Sequence, residues 1–492
     1  MKNLSYLIVL SIFVLLSATA CSDVLDTEPE SIITVKSFWN TEEDAVGGLY
    51  GMYNQFREHS RSNLVLLGDA RSELMGYGLQ NADYRIKYFE NSLTETNADL
   101  DWKQMYLIVN YANLVIKYAP TIEFKDELDK NNFLAQAYAM RAYMYFTMTK
   151  TWGDLPLISE PVEGYDAETT FKEKSPISDI FNLIKSDIDQ ANELFSDDKF
   201  NPNRSTWSRP ALNMLKADVY LWTGKIMGGG EPDITKALSA LEAAEVSDVG
   251  LLDDFSTIFD YDNKGNKEVI MAVHFRDIEA GNNYFADMYI NSADLNSAID
   301  TPDRERIGIA GNHNWWAPTE LVRNKFSDDD TRKNASFSEL SIYNDEGGSI
   351  FYTSVVLKGQ GIVDGGTRKF LDDVIIYRYA DLLLMKAEAK NALNQDPSEE
   401  INAIRRRAYG SNFDQHIFIN SSQEVNDSII LEERLLELAF ESKRWWDLIR
   451  FGKAFDLVPS LQGRENDRHL LLWPIPLNTL SLNSKLTQTP GY

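Results

Sequence analysis

The chain has 492 residues, of which 43% are hydrophobic and 25% are charged, a composition typical of globular proteins. Its formal net charge of −27 argues against nucleic-acid binding, because phosphate recognition needs clustered lysines and arginines. The same charge disfavours direct binding to an anionic membrane surface. The length is sufficient for one large domain or two smaller ones.

Residues 1–20 are predicted to form a lipoprotein signal peptide. One lysine precedes an apolar run that is too short for a transmembrane helix, and small residues then lead to Cys21. Cys21 is the only cysteine in the chain, so lipidation of its thiol explains it better than a chance cysteine after an ordinary secretory signal. Residues 21–40 begin with an acidic, non-periodic stretch, and we interpret them as a lipidated tether.

Residues 41–492 are predicted to form one mainly α-helical domain, with the helical scaffold at about 100–248 and 373–455. Seven stretches carry apolar residues at three- and four-residue spacing, as amphipathic helices do. They are residues 103–119, 133–152, 177–195, 210–224, 234–246, 379–393 and 428–452. The pair at 210–223 and 234–246, joined by a glycine-rich turn, is typical of one tetratricopeptide-like repeat unit.

Two regions, at about 60–100 and 250–372, interrupt the helical pattern and are rich in Gly, Asn, Asp, Ser and Tyr. The second region contains strand-like runs at 268–275 and 349–359. Long irregular segments in a compact domain are usually functional or disordered, and the aromatic content here argues against disorder. We therefore predict that both regions form a loop-rich, partly β ligand-binding face.

The sequence shows no recognisable motif for catalysis or for binding a metal ion or cofactor. Its histidines have no metal-ligand spacing, and neither a Walker loop nor a G-x-S-x-G elbow is present. The turn at 260–265 begins like an EF-hand, but Lys264 and Met271 stand at ligand positions. A pair of carboxylates could form a glycosidase site, yet nothing selects one pair among 75 acidic residues. The sequence therefore gives no positive support for catalysis, and we predict no metal ion or cofactor.

One tryptophan pair, Trp445 and Trp446, lies in the last predicted scaffold helix. If that helix is continuous from Leu431, both rings flank its apolar stripe, and we predict that they pack in the core. The charged residues on the opposite side of this helix are Glu433, Glu437, Glu441 and Arg444.

A second pair, Trp315 and Trp316, follows no helical register and lies in the segment GNHNWWAPTE. The C–H face of a pyranose packs on a flat aromatic ring, while neighbouring amides bind its hydroxyls. We predict that at least one ring faces ligand; inward packing of both rings is the alternative. The predicted ligand-binding residues are Trp315, Trp316, Tyr284, Tyr289, Tyr77, Tyr84, Asn312 and Asn314.

Several segments resemble the SusD/RagB family, the surface nutrient-binding lipoproteins of Bacteroidota. The segment 21–30 is similar to the mature N-terminus of the family, and 141–158 to its helix that leads into an aromatic-Gly-Asp-x-Pro turn. The Arg-Tyr-Ala-Asp and Asn-x-x-Arg-x-Arg-Ala helices lie within 375–410, and the Glu- and Arg-rich block lies at 432–452. The closing Pro-Ile-Pro and Gln-x-Pro-Gly-Tyr motifs follow at 470–492.

The resemblance implies a tetratricopeptide-like helical scaffold with a loop-rich ligand face, and no catalysis. It implies a lipid-anchored protein of the outer membrane that faces the cell exterior and partners a SusC-like TonB-dependent transporter. The expected function is delivery of an oligosaccharide to that transporter. A peptide- or other nutrient-binding lipoprotein of the same family, a helical-repeat scaffold protein and a glycoside hydrolase are the alternatives. The family motifs belong to the scaffold and identify no ligand residue.

Overall fold

The computed structural model describes residues 38–80, 83–164, 170–344 and 347–492. The predicted signal peptide, Cys21 and most of the predicted tether lie outside these residues. Within the described ranges, every helix is too short or too polar to cross a bilayer.

Helices in the first half of the chain pack mostly against their neighbours in sequence. They are α1 (Glu42–Ser60), α2 (Asn63–Gly68), α3 (Ile86–Phe89), α4 (Lys103–Tyr118), α5 (Glu127–Trp152), α6 (Ile177–Leu194), α7 (Arg209–Ile226) and α8 (Gly230–Ala244). Helix α1 packs on α4, α4 on α5, α5 on α6, and α7 on α8. Amphipathic helices bury their apolar faces in this way, and the α7–α8 pair is the one that the glycine-rich turn predicts.

The longest helix, α5, shows how the sequence sets these elements. At its start the Asp126 carboxylate accepts a hydrogen bond from the Leu128 N–H, and at its end Gly153 adopts a φ of 77°. Ala135 and Ala139 are completely buried, and their small side chains let α4 and α6 approach closely.

Helices in the second half are shorter, apart from three that complete the scaffold. They are α9 (Thr301–Ile307), α10 (Glu320–Arg323), α11 (Thr331–Ser336), α12 (Tyr379–Ala392), α13 (Ser398–Tyr409), α14 (Gln423–Leu438), α15 (Arg444–Arg450), α16 (Ala454–Leu457) and α17 (Leu477–Leu482). Helix α12 packs on α8, α13 and α14, so it joins the two halves.

The strands form two-stranded antiparallel sheets, mostly within the loop-rich regions. They are β1 (Met75–Tyr77) with β3 (Trp316–Pro318), β2 (Val269–Val273) with β8 (Val374–Arg378), β4 (Phe337–Tyr343) with β5 (Ser349–Val356), and β6 (Ile362–Asp364) with β7 (Thr367–Lys369). In the first sheet Tyr77 lies opposite Trp316. This pairing brings the two loop-rich regions together, although more than 200 residues separate them in sequence.

The predicted continuous helix over 428–452 is wrong, because the chain turns between α14 and α15. Phe440 and Ser442 have φ angles of 67° and 61°, a region that residues other than glycine rarely adopt. The Asp69 carboxylate accepts hydrogen bonds from the N–H groups of Ser442 (2.9 Å) and Arg444 (3.2 Å). A residue just after α2 therefore holds this turn.

Trp445 and Trp446 are 0% and 8% exposed, which confirms that this pair packs in the core. The charged residues opposite them are also buried; they are Glu433, Glu437, Glu441 and Arg444. Arg378 of β8 reaches Glu437 at 2.7 Å and Glu441 at 2.8 Å, within a larger buried ion-pair network. Helical register alone does not reveal this burial, because the partner arginines come from distant segments.

Candidate functional site

An open groove with a cavity volume of about 720 Å³ lies beside the β1–β3 sheet. The loop after β1, the start of α10 and the β4–β5 hairpin form its walls. The side chains that line it include Tyr77, Glu320, Arg323, Asn324, Phe351 and Tyr352. Tyr77 and Phe351 are 59% and 52% exposed, so the groove offers aromatic surface to a ligand.

Arg323 gives the groove a fixed guanidinium whose charge Glu339 balances. Its Nη1 donates to the Pro318 carbonyl at 2.8 Å, and its Nε donates to the Glu339 carboxylate at 2.5 Å. The guanidinium carbon lies 4.2 Å from the ring centroid of Phe351, a cation–π geometry. These contacts orient the guanidinium before any ligand arrives.

A separate aromatic cluster is built around Arg85. The guanidinium carbon lies 3.9 Å from the ring centroid of Trp315 and 4.3 Å from that of Tyr84. The His313 imidazole also stacks on Trp315, with centroids 4.4 Å apart. The cluster is close to the groove in sequence, because Trp315 directly precedes β3 and Tyr84 and Arg85 lie shortly after the residues of 76–79 that line the groove.

The Asp287 carboxylate is the counter-ion of Arg85, at 3.7 Å. Burial raises the pKa of Asp287 to about 6, and the positive charge of Arg85 opposes that rise. Burial also lowers the pKa of Arg85. Asn312 donates a hydrogen bond to Asp287 at 3.4 Å, so this pair is held beneath the aromatic surface.

Asn314 joins the walls of the groove. Its side-chain oxygen accepts hydrogen bonds from the Leu79 N–H (2.9 Å) and the Thr353 hydroxyl (2.8 Å). Its amide nitrogen donates to the Ser354 carbonyl at 3.0 Å. Gly78 packs directly on its backbone. Asn314 therefore positions loop residues around the groove.

Half of the predicted ligand residues are exposed or partly exposed, and one of them, Tyr77, lines the groove. Tyr77 and Tyr84 are 59% and 52% exposed, and Trp315 and Asn312 are partly exposed. The structure thus brings together residues that are more than 200 positions apart in sequence. Their role in ligand binding stays a prediction.

The other four predicted ligand residues belong to the core, and their assignment to the ligand surface is corrected. They are Trp316, Tyr284, Tyr289 and Asn314, each at most 3% exposed. The Trp316 ring packs edge-on against Phe89 with centroids 5.3 Å apart, and the Tyr289 hydroxyl donates to the Ile307 carbonyl at 3.1 Å. A ligand cannot reach these side chains without displacing their neighbours.

Sequence reasoning missed Arg323, Phe351 and Tyr352. The strand signal at 349–359 is correct, but the first residues of β5 are exposed and the last are buried. Period-two alternation does not distinguish the exposed half of a hairpin from its buried half. Two adjacent aromatics at the start of that run are the signal that could have identified them.

Metal ligands are not grouped anywhere in the described ranges: no three His, Cys, Asp or Glu side chains are placed to hold an ion. In the turn that begins like an EF-hand, the Lys264 ammonium donates to the carbonyls of Phe275 (2.6 Å) and Leu371 (2.7 Å). The lysine therefore ties this turn to neighbouring backbone.

The helix pairs form a tetratricopeptide-like scaffold, and this scaffold carries an open groove with exposed rings. Comparison with known families agrees. A model of the SusD family matches residues 325–492, and a model described as starch-binding, associating with outer membrane, matches residues 25–221. The chain belongs to the SusD family, which confirms the resemblance drawn from its motifs.

Relatives cover nearly the whole chain. NanU of B. fragilis is 33% identical, covers 94% of this chain and 99% of its own, and superposes with a TM-score of 0.84. A SusD superfamily protein from Bacteroides vulgatus is 32% identical over 92% of this chain and 100% of its own, with a TM-score of 0.80. SusD-like protein P38 from Formosa agariphila is 28% identical over 100% of this chain and 99% of its own. The predicted fold class is thereby confirmed.

Proposed function

We propose that this protein binds an oligosaccharide in the open groove, with Tyr77 and Phe351 as its stacking surfaces. One observation carries the proposal: two half-exposed rings and several polar side chains line the same groove. The starch-binding description of one matching family model supports a carbohydrate ligand. Membership of the family also supports a binding role without catalysis.

The chemistry of the groove suits a sugar. A pyranose buries its C–H face on an aromatic ring, and its hydroxyls need donors and acceptors in fixed positions. Arg323 is already oriented by Pro318 and Glu339, so little conformational entropy is lost when it donates to a hydroxyl. An open groove lets a chain extend beyond it towards Trp315 and Tyr84.

The proposal includes delivery to a SusC-like TonB-dependent transporter by a lipoprotein anchored through Cys21 at the cell exterior. The sequence before Cys21 supports the anchor, and the outer-membrane description of the family model supports the location. The polar groove with exposed rings favours sugar over peptide, because a peptide site would be expected to be deeper and without exposed rings.

Affinity electrophoresis in gels that contain starch or laminarin tests the groove. We expect Tyr77→Ala and Phe351→Ala each to weaken retention about five-fold, equivalent to roughly 1 kcal/mol. Tyr343→Ala is the matched control, because Tyr343 is 52% exposed on the same hairpin but does not line the groove. If both groove variants bind a retained glycan as tightly as this control does, the proposed site is wrong.

Trp315→Ala tests the continuation of the surface. We expect weaker binding without loss of folding, because Trp315 is only partly buried. Trp316→Ala is the contrasting variant: it removes a core ring and is expected to lower the free energy of unfolding by about 3–5 kcal/mol. Thermal melting separates the two effects, and unchanged binding by Trp315→Ala would confine the site to the groove.

A further inference from the structure

A second pocket, with a cavity volume of about 470 Å³, lies between α1, the turn before α7 and the loop after β2. None of its lining residues lines the groove. The side chains that line it include Tyr50, Asn54, Arg57, Asn203, Thr206 and Glu279. Its volume lies within the range of small-molecule sites.

Tyr50 gives this pocket an exposed ring. The side chain is 61% exposed, although α1 is otherwise packed against α4. Among described residues, the side chains of Tyr50, Asn203 and Thr206 have no hydrogen-bond partner. The pocket therefore offers one aromatic ring, one amide and two hydroxyls to a polar ligand that has an apolar face.

Arg57 gives the pocket an unsatisfied donor. Its Nη1 donates to the Glu279 carboxylate at 3.4 Å and its Nη2 to the Asn54 side chain at 3.0 Å. Its Nε is buried without a hydrogen-bond partner in the described part of the chain. A buried donor left unpaired is unfavourable, so a ligand hydroxyl that reached it would be stabilised.

The loop that carries Glu279 is strained. Ile278 has a φ of 74° and a completely exposed side chain. A β-branched residue rarely adopts this conformation, and backbone strain of this kind concentrates at ligand-binding and switch regions. Ile278 directly precedes Glu279, so a strained residue lies next to one wall of the pocket.

We propose that the Tyr50 pocket is a second carbohydrate subsite, which binds a pyranose unit. Tyr50 would cover the C–H face of the sugar, and Asn54, Asn203 and Arg57 would bind hydroxyls. Glu279 pairs with both Arg57 (3.4 Å) and Arg276 (3.6 Å), which also lines the pocket, so the ring and the hydrogen-bonding groups, rather than charge, define this subsite. Two sites on one chain raise the affinity for a long polysaccharide more than for a short fragment, because the second contact becomes intramolecular.

Calorimetric titration with maltoheptaose and laminarihexaose tests this subsite, which rests on the proposed function only for the sugar class. The variants are Tyr50→Ala with Asn203→Ala, and Tyr77→Ala with Phe351→Ala. Tyr343→Ala serves as the control, and thermal melting verifies folding. We expect two binding events per wild-type chain with at least one of the two sugars, and one event per chain for each double variant.

The outcomes separate the two proposals. If the Tyr50 double variant matches wild type while the groove variant loses binding, the second subsite is wrong and the groove stands. If the groove variant matches wild type and the Tyr50 variant loses about five-fold or more in affinity, the subsite stands and the groove is wrong. A folded wild-type protein that binds neither sugar contradicts both proposals for neutral glucose polymers.

Discussion

Gly78 is the position where the smallest change should most affect the groove. A Cβ at this residue would lie 2.7 Å from both the carbonyl carbon and the side-chain oxygen of Asn314, and closer still to its carbonyl oxygen. The Asn314 side chain cannot move away from the added methyl group, because hydrogen bonds to Leu79, Thr353 and Ser354 hold it in place. The methyl group of Gly78→Ala must therefore displace the loop.

The size of the effect follows from these contacts. Ordinary van der Waals contact begins near 3.4 Å, so relieving the closest contact, with the Asn314 carbonyl oxygen, requires a movement of roughly 1.3 Å. That shift breaks or weakens the hydrogen bonds from the N–H groups of Leu79 and Gln80 to Asn314, at about 1 kcal/mol each. For a chain of this size, such a loss lowers the melting temperature by only about 2 °C. Tyr77 is adjacent and moves with the loop, so oligosaccharide binding should weaken about five- to ten-fold.

Gly250→Ala is the matched control, because a Cβ at Gly250 would meet no atom within 4 Å and its φ is not in the positive region. Both variants are compared by thermal melting and by affinity electrophoresis against a retained glycan. The reasoning is refuted if Gly78→Ala and Gly250→Ala bind and melt alike, because the loop would then tolerate displacement without consequence for the groove.

Three further predictions concern the scaffold and the anchor. Glu437→Gln should lower the free energy of unfolding by about 3–5 kcal/mol, because it leaves buried arginines without their counter-charge. Urea denaturation measures this change. The control is Glu432→Gln, which affects a half-exposed ion pair and should cost less than about 1 kcal/mol. Burial opposes ionisation of Asp381, but two neighbouring basic side chains lower its pKa to about 2. The contribution of ionised Asp381 to stability is therefore complete above its unfolded pKa of about 3.9 and is lost as the pH falls through about 2. Asp381→Asn should flatten the dependence of the free energy of unfolding on pH in this acid range. An unchanged dependence would contradict this role of Asp381. Cys21→Ala should move the protein from the membrane fraction to the soluble fraction, and retention in the membrane would argue against the lipid anchor.

The scaffold helices were predictable because each has a buried face with a regular period. The predicted stretches at 103–119 and 177–195 correspond to Lys103–Tyr118 and Ile177–Leu194. The turn after α14 was not predictable, because Asp69 fixes it from a distant part of the chain. Local periodicity contains no information about such a partner.

The ligand surface was only half predictable. Tyr77 and Tyr289 both lie in loop-rich sequence, yet the first is 59% exposed and the second is completely buried. This difference in exposure depends on tertiary contacts, because the Tyr289 hydroxyl donates a hydrogen bond to the Ile307 carbonyl inside the protein. Phe351 was missed for the converse reason: its strand signal gave no sign that this end of the hairpin is exposed.

The proposed ligand site is tested most directly by a crystal structure of the protein with an oligosaccharide that it retains in affinity electrophoresis. The account predicts a sugar ring stacked on Tyr77 or Phe351, with a hydroxyl within hydrogen-bond distance of Arg323. Density for the oligosaccharide elsewhere, with the groove empty at saturating ligand, would contradict it.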